Sequence, residues 1–337
     1  MTREIAVDVH AHALIGDAEA LVREHDGWRR QADQMAALGG AASAEHNRKL
    51  MASYLPGLTQ ANARIAAMDA MGIDVQAVSV VPTQFHYWAG RELAEKFVAA
   101  ANNGIAQLCA QTPNRLVGLG TVAMQFPERA AAQLEYAIRD LRLKGVIIST
   151  SVNGVELADS RHEPFWSKAE ELGAVVFIHP MGCSLGARLT PYYFTNVIGN
   201  PTETTLALAH LVFAGVLDRF PRLKICAAHG GGYFPFYIAR FDHGWRVRPE
   251  AHTCKVAPSE YLKRIWFDSL VYTPEQLEFL ARQAGADRVV LGTDFPFDMG
   301  VPDPIARLDA ATSLSEAQRN SIRGTTAARL FGLRVER

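Results

Sequence analysis

The chain has 337 residues, with 34 Lys+Arg against 35 Asp+Glu, a formal net charge of −1, 49% hydrophobic residues and 20% charged residues. That balance is ordinary for a globular protein. It supplies neither the basic surface that nucleic acid or an anionic membrane demands nor an apolar run long enough to span a bilayer. The 4 cysteines, Cys109, Cys183, Cys226 and Cys254, form no C-x-x-C pair, and the opening MTREIAVDVH lacks the regions of a secretion signal, so reduced thiols and a cytoplasmic location are expected.

The first predicted element is a strand at 5–10, IAVDVH, and it runs into the stretch VDVHAHAL. Strand side chains alternate between faces, so Asp8, His10 and His12 point one way while Val7 and Val9 point the other. Two adjacent imidazoles repel when both are protonated, and a cation between them resolves the conflict because neutral imidazole is a good ligand. The alternative is a histidine-rich strand end in which each ring is hydrogen-bonded.

From Gly16 to about Gly57 no strand is predicted, and REHDGWRRQADQMAALGG and SAEHNRKLMASYL read as polar helices. So long a connection is functional or carries its own structure, and 16–57 is read as a lid inserted after strand one. The alternative is a surface excursion without function. Further strands are predicted at QAVSVV (76–81), LVGLG (116–120), GVIIST (145–150), AVVFIH (174–179), LKICAA (223–228), IWFDS (265–269) and RVVLGT (288–293). RELAEKFVAAANNGIAQLCAQ and PERAAAQLEYAIRDL are helices between them, and a last helical stretch follows Ser313. In the helix after strand five, Asn200 is read as the cap, with Pro201 and Glu203 in its first turn. Strand and helix alternating in this way describe a (β/α)8 TIM barrel over 1–337, one domain with a helical insertion after strand 1.

The chemistry-bearing residues gather at C-terminal strand ends, the face that carries the site in barrel enzymes. They are His10 and His12 on strand one, His179 in FIHP, His229 in AAHGGG and Asp294 in GTDFPF. Barrel metallohydrolases with two ions often bridge them with a carboxylated lysine at the end of strand four. Here that strand ends in IISTS, and Lys144 precedes it at the wrong end. One ion per chain is therefore expected, held by His10, His12, His179 and Asp294, with Zn2+ the default and iron, cobalt or manganese as other candidates.

His229 is left for catalysis, with a fifth-ligand role as the alternative. The glycines after it mark a turn where backbone approaches a ligand or a helix. His86 in FHYWAG follows strand two and is a candidate to touch substrate, with Tyr87 and Trp88 as candidate pocket walls or core. His162, His210, His243 and His252 are expected to be solvated or ordinarily hydrogen-bonded. Cys226, inside an apolar run, is expected to pack in the core.

The set VDVHAHAL, FHYWA, RLVGLGTVAMQ, FIHP, NPTETTLA, FPRLKICAAHGGGYFPFYIARFDHG and GTDFPF resembles the 2-amino-3-carboxymuconate 6-semialdehyde decarboxylase family, in the amidohydrolase-related group of the amidohydrolase superfamily. The resemblance runs from about Arg64 to Phe297, plus strand one. It implies a zinc-dependent, mostly non-oxidative decarboxylase. The ligands would be His10, His12, His179 and Asp294, and His229 the acid/base group beside Asp294. Arg240 would reach the partner's site in a homodimer, while Arg188 and Phe297 would contact substrate. Arg240 is expected one short helix beyond His229.

The semialdehyde decarboxylases carry two arginines before the helix that here begins near Arg64. This chain reads ASYLPGLTQANA there, with Arg48 and Lys49 out of register. The resembling group also holds hydroxybenzoate and carboxyvanillate decarboxylases, hydratases, a lactonase and a C–C hydrolase. The expected substrate is thus a small aromatic or muconate-type carboxylate, and the expected reaction decarboxylation. The alternative is hydrolysis or hydration on the same scaffold.

Overall fold

The computed structural model describes residues 5–333. Short Val- and Ile-rich runs form eight strands: Val7–Ala13, Val75–Val80, Leu116–Gly120, Gly145–Ile148, Val175–Ile178, Lys224–Ala227, Ile265–Asp268 and Val289–Val290. Each pairs in parallel with the next. Nearly every residue in them is buried, as a sheet covered on both faces requires. The chain beyond Val290 closes the barrel against strand one: Val9 N donates to Leu291 O at 2.8 Å, Asp294 N to His10 O at 2.8 Å and His12 N to Phe295 O at 2.9 Å. The expected TIM barrel is present, with strand ends shifted by a few residues.

Strand one departs most from expectation. It continues to Ala13, so His10 and His12 lie within it rather than at its tip. Its pairing with strand two slips between Asp8 and Ala11, a bulge of the kind that re-aims side chains near sites. A buried network braces it from the N-terminal side. Asp8 accepts from His10 N (3.0 Å), Thr293 N (3.0 Å), Thr293 Oγ1 (2.6 Å) and Gln76 Nε2 (2.8 Å). Arg64 donates to Gln76 Oε1 at 2.6 Å, to Gly57 O at 2.8 Å and to His12 O. Burial lowers the Arg64 guanidinium to a pKa of about 10.

The helices lay apolar faces on the barrel; Arg91–Ala110, for example, buries Phe97, Val98, Ala101, Ile105 and Leu108. The helix at Asn200–Phe213 starts as expected, but a π-helical turn, Thr195–Gly199, runs directly into it. Gly199 therefore takes the cap position, no side chain caps the helix, and Asn200 is not its cap. Glu203 instead accepts from Ser184 N (2.7 Å) and Ser184 Oγ (2.5 Å). A two-stranded hairpin, Ser151–Val152 with Val155–Glu156, follows strand four.

Residues 16–57 fall in two helices, Gly16–Val22 and Asp26–Thr59, the second kinked at Gly40 (φ 76°). The first half of the long helix meets the loop after strand two, where Gln31 Nε2 donates to Thr83 O at 2.7 Å. Gly40 packs on Thr190, after strand five. The second half meets the loop after strand eight: Tyr54 Oη accepts from Asp298 N at 3.0 Å and its ring stands edge-on to Phe297. These three contacts lay the insertion across the C-terminal mouth of the barrel.

Cys226 is buried in the core as expected. His162 differs from expectation: it is buried, and neither ring nitrogen has a partner. Among the described residues no helix is long and apolar enough to cross a membrane.

Candidate metal centre and active site

At the C-terminal end of the barrel, the ligand atoms of His10, His12, His179 and Asp294 all lie within 4.8 Å of one another, and all four residues are buried. Each imidazole is oriented from behind. His10 Nδ1 lies 2.6 Å from Asp268 Oδ2, His12 Nδ1 3.2 Å from Val80 O, and His179 Nδ1 2.8 Å from Pro180 O. An Nδ1 that donates outward leaves Nε2 as a bare lone pair facing inward.

The inward atoms fit a cation. His10 Nε2 and His12 Nε2 stand 3.2 Å apart, with Asp294 Oδ1 at 3.4 Å and 3.2 Å from them. His179 Nε2 is buried and has no hydrogen-bond partner. Two bare nitrogens at that separation repel unless a proton or a cation lies between them, and an unsatisfied buried polar atom costs about 1–3 kcal/mol. Three imidazoles and one carboxylate suit a divalent transition metal.

The electrostatics favour ligand-ready forms. Burial, reinforced by the neighbouring imidazoles of His229, His10 and His12, pushes His179 well below the ordinary histidine range. Burial likewise lowers His12. Burial opposes the charge on Asp294, but the surrounding imidazoles hold its carboxyl well below the usual carboxylate range. His10 is the exception. Burial would lower it, yet Asp294 and Asp268 together hold it above the ordinary value.

His229 lies beside this group without belonging to it. Its Nε2 is 3.8 Å from Asp294 Oδ2, its ring centroid is 4.9 Å from that of His179, and its buried Nδ1 has no partner. His229 (φ 54°) and Asp294 (φ 58°) both adopt the left-handed conformation, a strain that marks functional positions when surrounding structure enforces it. The glycines after His229 are needed for close backbone approach. A Cβ on Gly232 would stand 2.2 Å from Pro201 O, and one on Gly231 2.6 Å from the Phe267 ring. The turn thus packs on a helix and a strand.

The other predicted residues divide. Phe297 is at the site, its ring centroid 5.7 Å from that of His12. His86 and Trp88 are held by the insertion instead: Trp88 donates to Gln31 Oε1 at 2.8 Å and stacks on His25, and His86 packs edge-on to Phe97 and Trp88. Tyr87 is buried and accepts from Ser149 N at 3.2 Å. Arg188 is exposed on a short turn after strand five. Arg240 is also exposed, but it is the third residue of helix Ile238–Val247. A glycine turn and an irregular turn, not a helix, separate it from His229, because the successive positive-φ glycines cannot propagate one.

Sequence reasoning missed Asp268. It ends strand seven at 0% exposure and contacts both His10 and the His229 turn. A carboxylate closing the apolar run IWFD at the same barrel end was the available signal. It also missed Tyr54, whose phenol burial pushes up to about 12 beside Asp298.

A family model described as Amidohydrolase matches residues 7–333. The chain is 34% identical to the 2-amino-3-carboxymuconate-6-semialdehyde decarboxylase of Dictyostelium discoideum, over 98% of this chain and 92% of that one. Among solved structures, the 5-carboxyvanillate decarboxylase of Sphingomonas paucimobilis superposes with a TM-score of 0.84 at 25% identity, covering 98% of this chain and 99% of that one. The corresponding enzyme of Novosphingobium aromaticivorans, complexed with manganese and 4-hydroxy-3-methoxy-5-nitrobenzoic acid, gives a TM-score of 0.84 at 24% identity, covering 98% and 96%.

Proposed function

The chain belongs to the amidohydrolase family, among the 2-amino-3-carboxymuconate-6-semialdehyde decarboxylase-like members, and is an enzyme of the carboxy-lyase kind; from that premise we propose that it removes CO2, without oxidation, from a small aromatic or muconate-type carboxylate. The observation that carries this is a mostly enclosed histidine, His229, with a buried and unpartnered Nδ1, standing beside but outside a complete three-imidazole, one-carboxylate cluster.

His10, His12, His179 and Asp294 would hold one divalent transition metal per chain. Zn2+ suits that donor set, and manganese sits in a related carboxyvanillate decarboxylase. When bound, the ion supplies a positive charge that orients anionic substrate oxygens and draws electron density from the ring or diene. His229, close to the substrate face of the cluster, delivers a proton to the carbon that bears the carboxylate. The C–CO2 bond then breaks, its electron pair restores the conjugated system, and CO2 leaves. Asp294, 3.8 Å from His229 Nε2, is placed to steady the imidazolium and to guide a solvent proton back to the imidazole after CO2 has left. Phe297 and Tyr54 wall the entrance on the strand-eight side, and residues 16–57 act as a lid that keeps water from the reacting carbon.

A panel of hydroxybenzoates and ring-cleavage semialdehydes, turned over in D2O and separately in H2-18O, tests the reaction. Decarboxylation leaves one deuterium on the carbon that lost CO2 and, beyond the aldehyde oxygen that exchanges with solvent in a no-enzyme control, no 18O in the organic product. Product 18O, favoured by the arginine-free stretch ASYLPGLTQANA, would replace this reading with a hydrolase or hydratase.

The working unit proposed is a homodimer. Tyr237, Arg240, Phe241, Gly244 and Val247 form one stripe of helix Ile238–Val247 and its preceding residue, and Tyr237 (64% exposed) and Val247 (55% exposed) are open apolar surface. With Tyr233, Thr205 and Phe213, part of this stripe lines an open groove of about 610 Å³. No hydrogen bond or ion pair holds the Arg240 guanidinium among the described residues, which suits a fork reserved for the partner's carboxylate substrate. Mixing inactive His229→Ala and Arg240→Ala proteins under subunit exchange is expected to restore activity toward half of wild type per mixed dimer. One site then carries both defects and the other neither. No recovery despite proven exchange would return Arg240 to its own subunit or remove it from catalysis.

A further inference from the structure

We propose that Asp268 is a positioning residue that sets the tautomer of His10 and pins the turn carrying His229, so that one buried carboxylate ties metal retention to placement of the acid/base group. The proposal rests on reading the four-residue cluster as a metal centre, and it is independent of which reaction follows.

Asp268 closes strand seven with 0% exposure. Its Oδ2 lies 2.6 Å from His10 Nδ1 and accepts from His229 N at 3.0 Å. Its Oδ1 accepts from Gly230 N at 2.8 Å and Leu270 N at 3.1 Å. Three of these four partners are backbone amides and can only donate. A carboxylate that already faces three donors accepts from the fourth as well, which places the His10 proton on Nδ1 and leaves Nε2 bare for a cation. The same oxygen holds the amide of His229, whose φ of 54° needs outside support. Nothing nearby lets the pair relax: a Cβ on Gly292 would meet Asp268 Cβ at 2.8 Å and His10 Cβ at 3.1 Å. Strand one, strand six and strand seven therefore converge on one side chain.

Asparagine is nearly the same shape but carries one acceptor and one donor. Turned one way, its NH2 faces His10 and the His229 amide, so His10 must give up its Nδ1 proton and carry it on Nε2, where it blocks the cation. Turned the other way, the NH2 faces the amides of Gly230 and Leu270, and both of those bonds are lost while His10 and His229 N keep theirs. The first orientation, which costs only the His229 bond once His10 changes tautomer, is therefore favoured. Neither orientation satisfies all four partners.

The test compares wild type with Asp268→Asn. Both are stripped of metal, titrated with Zn2+ against a chromophoric chelator, and labelled with 15N-histidine to read the His10 tautomer, assigned with His10→Gln. The expected result is a 10–100-fold weaker Zn2+ affinity, the usual range for a lost outer partner of a metal-bound histidine. With it should come loss of the Nδ1–H tautomer at His10 and, at saturating Zn2+, a turnover still below wild type. A purely structural role would lower thermal stability while leaving Zn2+ affinity and the His10 tautomer at wild-type values, and that result overturns the proposal. If Asp268→Asn does not fold, the wild-type spectrum decides, since an Nε2–H tautomer of His10 in the metal-free protein overturns it as well and an Nδ1–H tautomer upholds it. A wild type that takes up no Zn2+ overturns the metal centre and this proposal together. That outcome is distinct from bound Zn2+ with unchanged affinity in the variant, which removes Asp268 alone.

Discussion

Replacing His10 or His179 with alanine is expected to strip the metal and abolish turnover together, while the wild type carries one transition-metal ion per chain. Each of these imidazoles supplies one of four inward-facing donors, and the remaining three cannot close a tetrahedral set. The loss in affinity should exceed the 10–100-fold that an outer-partner change costs, so it should be at least about 10²-fold. The barrel itself should survive. His179 follows strand five rather than holding it, and its Nε2 has no protein partner to lose. Removing the His179 imidazole, which repels its neighbours, leaves that metal-free variant close to metal-free wild type in stability, whereas His10→Ala also gives up the bond to buried Asp268 and is expected to be the less stable of the two. Elemental analysis and thermal melting, with and without Zn2+ or Mn2+, check both halves. Two tightly bound ions per chain would mean that a bridging group has been missed at strand four. That strand runs Gly145–Ile148 and is followed by Ser149 and Thr150, with Lys144 at the far end. An alanine variant that kept its metal would remove that histidine from the ligand set.

The barrel was legible because strands buried on both faces are short and rich in β-branched residues, so eight of them stand out from the helices between. Their ends were not legible. Strand eight, read as 288–293, keeps only Val289–Val290 because the chain beyond it turns to bond the bulged first strand. The four clustered residues were visible as chemistry at strand ends, but their braces were not. Asp268 and Asp8 look like ordinary strand carboxylates until three-dimensional neighbours show Asp8 accepting from four donors and Asp268 from three backbone amides, with the His10 ring against it. The hairpin after strand four had a local signal, Asn153–Gly154, both at positive φ as a tight turn demands. Asn200 illustrates the opposite failure. A good capping residue was read as a cap, but the π-turn Thr195–Gly199 carries the helix past it, and helix extension is decided by packing rather than by local propensity. His86 and Trp88 sit on the expected face, yet Gln31 of the insertion meets His86 Nδ1 and Trp88 Nε1.

His229→Ala is expected to retain the metal and lose about 10²–10⁴-fold in turnover, the range for a positioned acid/base group. His229 is outside the group of four ligand atoms, so its removal leaves that group complete. The turn that presents it should also persist, because the contacts that hold it belong to backbone: His229 N and Gly230 N both bond Asp268, and Gly232 packs on Pro201. What disappears is an imidazole with a buried, unpartnered Nδ1 and an Nε2 facing Asp294 at 3.8 Å. No other described histidine takes its place, since His10, His12 and His179 direct their second nitrogens outward to Asp268, Val80 and Pro180. Proton delivery would then fall to water, which the proposed lid at 16–57 would restrict. The measurement pairs metal content with single-turnover rates at saturating substrate, so that binding is separated from chemistry. Full metal with a large fall in the single-turnover rate is the expected pattern. Metal lost in step with activity would make His229 a fifth ligand. Full metal with an unchanged rate would move the proton to another group, and Asp294, whose carboxylate oxygens face His10, His12 and the His229 ring, is where the search would begin.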